Sequence, residues 1–517
     1  MIRSFLTVSV GTLASRLLGF ARDTMIAALL GASPVADAFL VAFQLVNVVR
    51  RLLTEGALNA ALVPAWLRAR ETGGAIAAAA FAGRVLGTVS AALFVAAALI
   101  ALVMPFVVAV LAPGFAGQAT SQMAVDDARL MLPYLAFAGP VTVMMALLNA
   151  QHRFVLTAFS PLLFNVALIA VMIALLTWRQ DAGFAALVMA ATVGIAGVLQ
   201  LLILILRRGG SIATPLRISF DGQMRGFFGK AIPGMIASSG PQLLVVAGAV
   251  IASTSPSAVS WLYFANRLIE LPLGIVGVAM GTVLVPELTR ALRADDRSAI
   301  VHAQSRSIEL AIGLALPATV GLIVLSEPIV RMLFEHGAFA AIDTTATAHA
   351  LIWLALGLPA HVLFKALSPA FFARENTTTP CSAVLKGVAL AIAAAFLFGH
   401  LFGPEGVAAG IAFGAWSSAL TLAREAAAIS GFSIDAAARR RLPRIFAAAL
   451  GMGGTLWAAS KFAPAVNMHG LVQALVLLIL IGGGVAIYGL LLSLFGVIDW
   501  REAVSAIRHP VPRDLRG

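Results

Sequence analysis

The sequence predicts an all-α polytopic membrane protein of about fourteen transmembrane helices, built as two pseudo-symmetric six-helix lobes with two helices appended. Three observations carry that prediction. Of the 517 residues, 61% are hydrophobic and only 11% charged, with a mean hydropathy of +0.98; soluble chains run about 45–50% apolar and about 25% charged. Apolar runs long enough to cross a bilayer, roughly 20 residues each, recur along the whole chain. Finally, two blocks of the first half can be laid on the second at an offset of roughly 220 residues.

The candidate spans lie near 8–30, 35–64, 78–111, 124–150, 156–177, 182–206, 229–252, 257–288, 303–326, 344–372, 379–401, 405–430, 445–463 and 470–495. The opening run "MIRSFLTVSVGTLASRLLGF" has no small-residue cleavage site before a polar stretch, so it is expected to stay as the first span. "ADAFLVAFQLVNVVRRLLTEGALNAALVPA" aligns without gaps on "AVSWLYFANRLIELPLGIVGVAMGTVLVPE", Pro64 meeting Pro286. "LPYLAFAGPVTVMMALLNAQHRFVLTAFSP" aligns on "LIWLALGLPAHVLFKALSPAFFARENTTTP", Pro140 meeting Pro359 and Pro161 meeting Pro380. The expected units are an N-terminal lobe over residues 1–223 with its polar linker, a C-terminal lobe over 224–434, and the appended helices and tail over 435–517. "GFAGQATSQ" and "SEPIVRMLFEHGAF" read as outer loops.

Most of the basic charge behind the formal +12 is topogenic. Arg68 and Arg70, Arg153, Arg207 and Arg208, Arg217 and Arg225, Arg290, Arg293 and Arg297, Arg374, the "RRRLPR" run and the C-terminal arginines fall in alternate loops. The intervening loops hold little beyond Arg179, Arg331 and Lys461. By the positive-inside rule both termini are cytoplasmic, and nucleic acid is not an expected partner. The lone cysteine, Cys381, excludes an internal disulfide.

Several charges sit inside the spans, where each costs about 2.5–3.5 kcal/mol on insertion scales and therefore faces a bundle interior or a wet cavity. On a helical wheel at about 100° per residue, Asp37, Gln44, Asn47, Arg51, Glu55 and Asn59 form one polar stripe, and Arg50 falls off it. The first span adds Arg16, Arg22 and Asp23; the eighth adds Asn266, Arg267 and Glu270, the last two at pairing distance i, i+3. Structural roles are available to each: Arg16 or Arg22 snorkelling, Asp23 neutralising Arg22, Glu55 neutralising Arg51, Glu270 neutralising Arg267. Together the cations suit a cavity for an anionic ligand, because the planar guanidinium makes paired, charge-assisted hydrogen bonds to phosphate.

Enzymatic motifs are missing. No G-x-x-x-x-G-K-[ST] phosphate loop or H-E-x-x-H occurs, and "FFGKAIPG" lacks the required spacing. The eight histidines are scattered, and His152, His336 and His361 read as loop or packing residues. No metal and no cofactor are expected, so uphill work would draw on the membrane potential or a monovalent-ion gradient.

The blocks "SRLLGFARD", "ADAFLVAFQLVNVVRRLLTEGALNAALVPAW", "LAPGF", "LLNAQHRFVLTAFSP", "VSWLYFANRLIELPLGIVGVAMGTVLVPEL" and "LSPAFFARENTTTP" resemble the lipid II flippases (the MurJ/MviN family) of the multidrug/oligosaccharidyl-lipid/polysaccharide exporter superfamily. The resemblance runs in order from residue 1 to about 430. It implies a bacterial inner-membrane protein that moves lipid II between leaflets, not an enzyme, with lipid II, membrane lipids and the cell-wall synthesis machinery as partners. It implies Arg16, Arg22, Arg50 and Arg267 as cavity cations for the lipid pyrophosphate, where the wheel favours Arg51 over Arg50. It implies Asp37 as the functionally important acid of the second span, with Asp23 beside the first-span arginines and Glu270 beside Arg267. Asn266, Gln44 and Val46 depart from the pattern, which has an acid, a lysine and a proline there. The rivals are a flippase for another polyprenyl-linked oligosaccharide, a cation-coupled drug antiporter, which would have an acidic or aromatic cavity, and a non-transporting scaffold.

Overall fold

The computed structural model describes residues 2–54, 57–151, 153–178, 180–207, 216–280, 290, 296–372, 374, 376–430, 435–462 and 470–497. Glu55, Pro286 and the tail arginines from Arg501 onward lie outside the described residues. What is described is helical: α1 (Ile2–Leu30), α2 (Pro34–Thr54), α3 (Ala57–Leu102), α4 (Met104–Leu111), α5 (Ala119–Ala150), α6 (Phe154–Trp178), α7 (Ala182–Arg207), α8 (Gly222–Ser238), α9 (Gly240–Ala252), α10 (Ala258–Ala279), α11 (Arg297–Val324), α12 (Ser326–Phe334), α13 (Ala341–Phe372), α14 (Thr378–Ser430), α15 (Ala436–Phe462) and α16 (Leu471–Leu494).

Among the described residues eight helices are long and apolar enough to cross a membrane, nine when the bent pair α8–α9 is one span. The other expected spans fall on α1, α2 and α10, which hold the intramembrane charges, on α15 with its basic start, and on the second arm of α14, in keeping with about fourteen crossings. Two long helices are kinked at glycines with positive φ, Gly74 in α3 (72°) and Gly403 in α14 (63°). A side chain there would be strained, and at the second kink Pro404 also removes a backbone donor. α8 and α9 meet at 62°, just before Pro241.

Some boundaries differ from the sequence reading. Pro64, expected at the end of the second span, lies inside α3, and residues 55 and 56 between α2 and α3 lie outside the described residues. The third breaks at Val103, where Pro105 opens α4 as a separate short helix. "SEPIVRMLFEHGAF" is not simply a loop. Its first part is helix α12, whose Arg331 bonds Glu327 at 2.5 Å one turn back and stabilises it locally.

Helix packing falls into two groups. α2, α3 and α7 pack on α5, and α1 and α7 on α6; in the second group α10, α11 and α14 pack on α13, and α9 on α14. α15 lies on α11, and α16 on α15. With lipid as apolar as leucine, close packing rather than hydrophobicity drives such contacts. Gly194 and Gly197 of α7 accordingly lie against the backbones of Leu130 and Tyr134, and Gly410 against Ala394 and Ala395. Between the groups the linker 216–220 runs extended beside α3: Thr88 and Ser219 bond each other, and Arg84 reaches Asp221 at 2.6 Å.

Candidate functional site: a cavity between the two helix groups

The charged stripe of α2 faces the other group, and its two ends do different things. At the start of α2, Asp37 is buried and caps the first turn of α10. Its carboxylate accepts from the amides of Ser257 (2.8 Å) and Ser260 (2.9 Å) and from the Ser260 hydroxyl (2.5 Å). Ser257, the only described non-glycine residue with positive φ (64°), also donates its hydroxyl to Ala32 O. Further contacts close this end: Ala338 N bonds Ala28 O at 2.9 Å, and Gly114 N bonds Ser253 Oγ at 3.1 Å.

At the other end of α2, about 20 Å away by helical rise, lies a cavity of about 740 Å³. Arg16, Arg22, Arg50, Arg51, Arg267 and Lys365 all line it. The carboxylates near them are Glu270, in the lining, and Asp23, fully buried behind it. An ion-pair chain links three helices. Arg22 of α1 bonds Asp23 at 2.7 Å, Asp23 pairs with Arg267 of α10, and Arg267 bonds Glu270 at 2.6 Å. Glu270 then bonds Arg51 of α2 at 2.7 Å. Polar neighbours complete it: Asn165 accepts from Arg22 (3.0 Å), the Tyr263 hydroxyl donates to Asp23 (3.2 Å), and Asn266 donates to Glu270 (3.3 Å). The Arg22 guanidinium also stacks between Phe43 and Phe164, 5.0 and 5.6 Å from the ring centres. Buried charge is thus compensated by pairs and hydrogen bonds, as it must be to be stable, while the cations still outnumber the acids.

Of the residues singled out in the sequence, Arg16, Arg22, Arg50, Arg51, Asn266, Arg267 and Glu270 come together on this one cavity. Arg50 and Arg51 both reach it. Arg50, off the ideal wheel, is turned back along its own helix by Asn47 Oδ1 at 3.2 Å. Asp37 is not in the cavity wall, because three donors hold it at the closed end. Glu55 lies outside the described residues; among the described residues Arg51 pairs with Glu270, from the other helix group. Sequence reasoning missed Lys365, although an amine within the apolar "HVLFKALSP" is the same signal that flagged the arginines. It also missed Asn165 and Tyr263, whose types carry no such signal in a span.

Among the described residues no cluster of histidine, cysteine and carboxylates could hold a metal ion.

The chain is similar to known proteins over nearly its full length. The family model described as lipid II flippase MurJ matches residues 26–477. A probable lipid II flippase MurJ of Rhizobium meliloti is 37% identical over 99% of this chain and 96% of its own length. The lipid II flippase MurJ of Burkholderia cenocepacia is 33% identical over 82% and 83%. Among solved structures, a lipid II flippase MurJ in an inward closed conformation superposes with a TM-score of 0.77 at 22% identity, over 96% of this chain and all of that one. An inward-facing multidrug resistance MATE transporter of the MOP superfamily gives 0.67 at 15% identity, over 83% and 98%; at these identities the likeness is one of fold. The family match and the relatives' identity agree, and the chain belongs to the lipid II flippase MurJ family.

Proposed function

We propose that this protein flips lipid II across the bacterial inner membrane by alternating access, with both termini in the cytoplasm. The observation that carries the reading is the concentration of six cations on one cavity between two helix groups, in a chain of this family. A pyrophosphate loses strong hydration on entering a membrane-level cavity, and paired guanidinium donors replace it. Arg16, Arg22, Arg50, Arg51 and Arg267 are the proposed phosphate-facing set, and Asp23 and Glu270 hold the arginines in place. The polyprenyl tail would stay in lipid beside the appended helices.

With cytoplasmic termini, the Asp37 end of α2 is periplasmic and the cavity end cytoplasmic, so this conformation is closed outside. Transport then requires the Asp37–α10 cap to open while the cavity end closes. Asp37 acts in this reading as a gate residue rather than a ligand, and the membrane potential or a monovalent ion supplies the drive. A cavity rich in arginine disfavours the cation-antiporter reading suggested by the MATE fold, because it repels cationic substrates.

Complementation of a strain depleted of its own flippase tests the proposal. Arg267→Ala and Arg22→Ala should fail to support growth at normal protein levels, with lipid II remaining inaccessible from outside. Full growth with both variants overturns the site assignment. Wild-type failure, with rescue of a different polyprenyl-linked sugar defect, overturns the substrate.

A further inference from the structure

Beside the main cavity lies a smaller one of about 310 Å³, walled mostly by α8, α9, α13 and α14 and closed on one side by Arg16 of α1. The two share Arg16, Pro241 and Lys365 in their walls, so they adjoin there. His361 lines only the smaller one, one helical turn before Lys365 on α13. That places a cation and an imidazole side by side along one wall. Three serines supply the complementary chemistry. Ser238 donates its hydroxyl to Gly234 O (2.9 Å), Ser368 to Phe364 O (2.7 Å) and Ser418 to Gly414 O (3.1 Å). Each hydroxyl proton is committed to its own helix, so what the serines offer the pocket is oxygen lone pairs. Phe364, Phe372 and Pro369 are among the apolar residues of the rest of the wall.

An ammonium and an imidazole on α13, with hydroxyl acceptors on α13 itself and on α8 and α14 in the same small, half-apolar chamber, suit one kind of group: a carboxylate and an ammonium on the same carbon. We propose that this side pocket is a subsite for the zwitterionic amino-acid end of a diamino-acid side chain in the peptide of the transported lipid. Lys365 and His361 take its carboxylate, and the serine oxygens its ammonium. The inference rests on the lipid II reading above and adds the group that sets head-group selectivity. The main cavity holds the phosphates and the side pocket reads the peptide.

Two lipid II probes that differ by one carboxylate test this, with diaminopimelate or lysine at the third position of the peptide. Affinities are measured on the full chain in nanodiscs, with undecaprenyl phosphate as the control without a head group. A charge-assisted hydrogen bond made to only one probe predicts a preference for the diaminopimelate form of about tenfold. Lys365→Gln and His361→Leu should each bring that ratio toward one, whereas Arg267→Gln should weaken both probes and keep the ratio. Equal wild-type affinities for the two probes overturn the subsite, whatever the variants do, as does a ratio untouched by either α13 substitution. If neither probe binds better than undecaprenyl phosphate, the lipid II reading itself fails and the subsite falls with it.

Discussion

Arg16 of α1 lies over Gly274 of α10, and the relation is reciprocated: Arg267 of α10 lies over Gly19 of α1. Each guanidinium rests where the facing helix has no Cβ, so two long cations occupy the seam between α1 and α10 in place of apolar side chains. The two clasps differ in what holds the arginine. Arg267 is tied by Asp23 and Glu270; Arg16 is exposed and forms no ion pair among the described residues.

Gly274→Ala should therefore fold normally and weaken lipid II binding, because its methyl group displaces a guanidinium free to swing away. Gly19→Ala meets one that is anchored, so strain should outweigh the helix-propensity gain of about 1 kcal/mol. Thermal melting of the two purified variants should separate them: Gly274→Ala at or above wild type, Gly19→Ala below it. The reverse order would show that the Arg267 anchorage is loose.

Asp23 is the counterion shared by Arg22 and Arg267 and is wholly buried. Removing one member of a buried pair leaves charge uncompensated, at a cost of about 3–5 kcal/mol. Asp23→Asn should destabilise the fold by an amount of that order, far more than loss of a pair with a half-exposed acid such as Arg331–Glu327, worth about 0–1 kcal/mol. Similar losses of stability for Asp23→Asn and Glu327→Gln would place the stabilisation outside the ion-pair chain.

The division of labour along α2 shows how far the sequence could be read. Run lengths sufficed for the fold class, because a helix in lipid must satisfy its own backbone and span a fixed thickness. Intramembrane charge also pointed to Arg16, Arg22, Arg51 and Arg267, since burying an arginine demands a partner or a cavity. The wheel treated Asp37 and Arg51 as one stripe, and both do face the opposite helix group. Which is cavity wall and which is latch depends on the start of α10 arriving beside Asp37, a tertiary fact absent from local pattern. The ideal wheel also failed for Arg50, since a flexible side chain reaches well beyond its Cβ direction. Asn165 and Tyr263 were illegible for a different reason: one sequence does not separate a polar residue bonded to its own helix from one bonded to a buried arginine.

The linker provides a pH-dependent test outside the membrane. Asp221 caps α8, and the Met224 amide, then Ser219 and Arg84, hold its carboxyl below the usual carboxylate range. A depressed pKa contributes stability above the ordinary value that is lost as pH falls through the folded one. Hydrogen-exchange protection at the amides of Arg217 and Ser219, bonded to Gly83 and Thr88 and taken relative to the intrinsic rate at each pH, should be high at neutral pH and fall on acidification. In Asp221→Asn that added acid response should be absent. An identical acid response in both proteins would remove Asp221 from the linker clip.

At the closed end a helix cap joins α2 to α10, and in the proposed function it is the latch. Asp37 accepts three hydrogen bonds from the first turn of α10. Loss of a side-chain cap costs about 0.5–2 kcal/mol, and here the cost falls only on the conformation in which α2 and α10 meet at that end. Asp37→Asn retains one acceptor oxygen and should shift the equilibrium modestly; Asp37→Ala removes both and should shift it by up to about thirtyfold. Ser260→Ala deletes one donor and should fall between wild type and Asp37→Ala. A cysteine at Ala32, whose carbonyl receives the Ser257 hydroxyl, reports the opening in a Cys381→Ser background. Its modification by a membrane-impermeant maleimide added outside whole cells should accelerate in the order wild type, Ser260→Ala, Asp37→Ala. Rates that do not change across this series would mean that the seam at Ala28–Ala338 and Gly114–Ser253 keeps the end shut without Asp37, and the gate would have to be sought there.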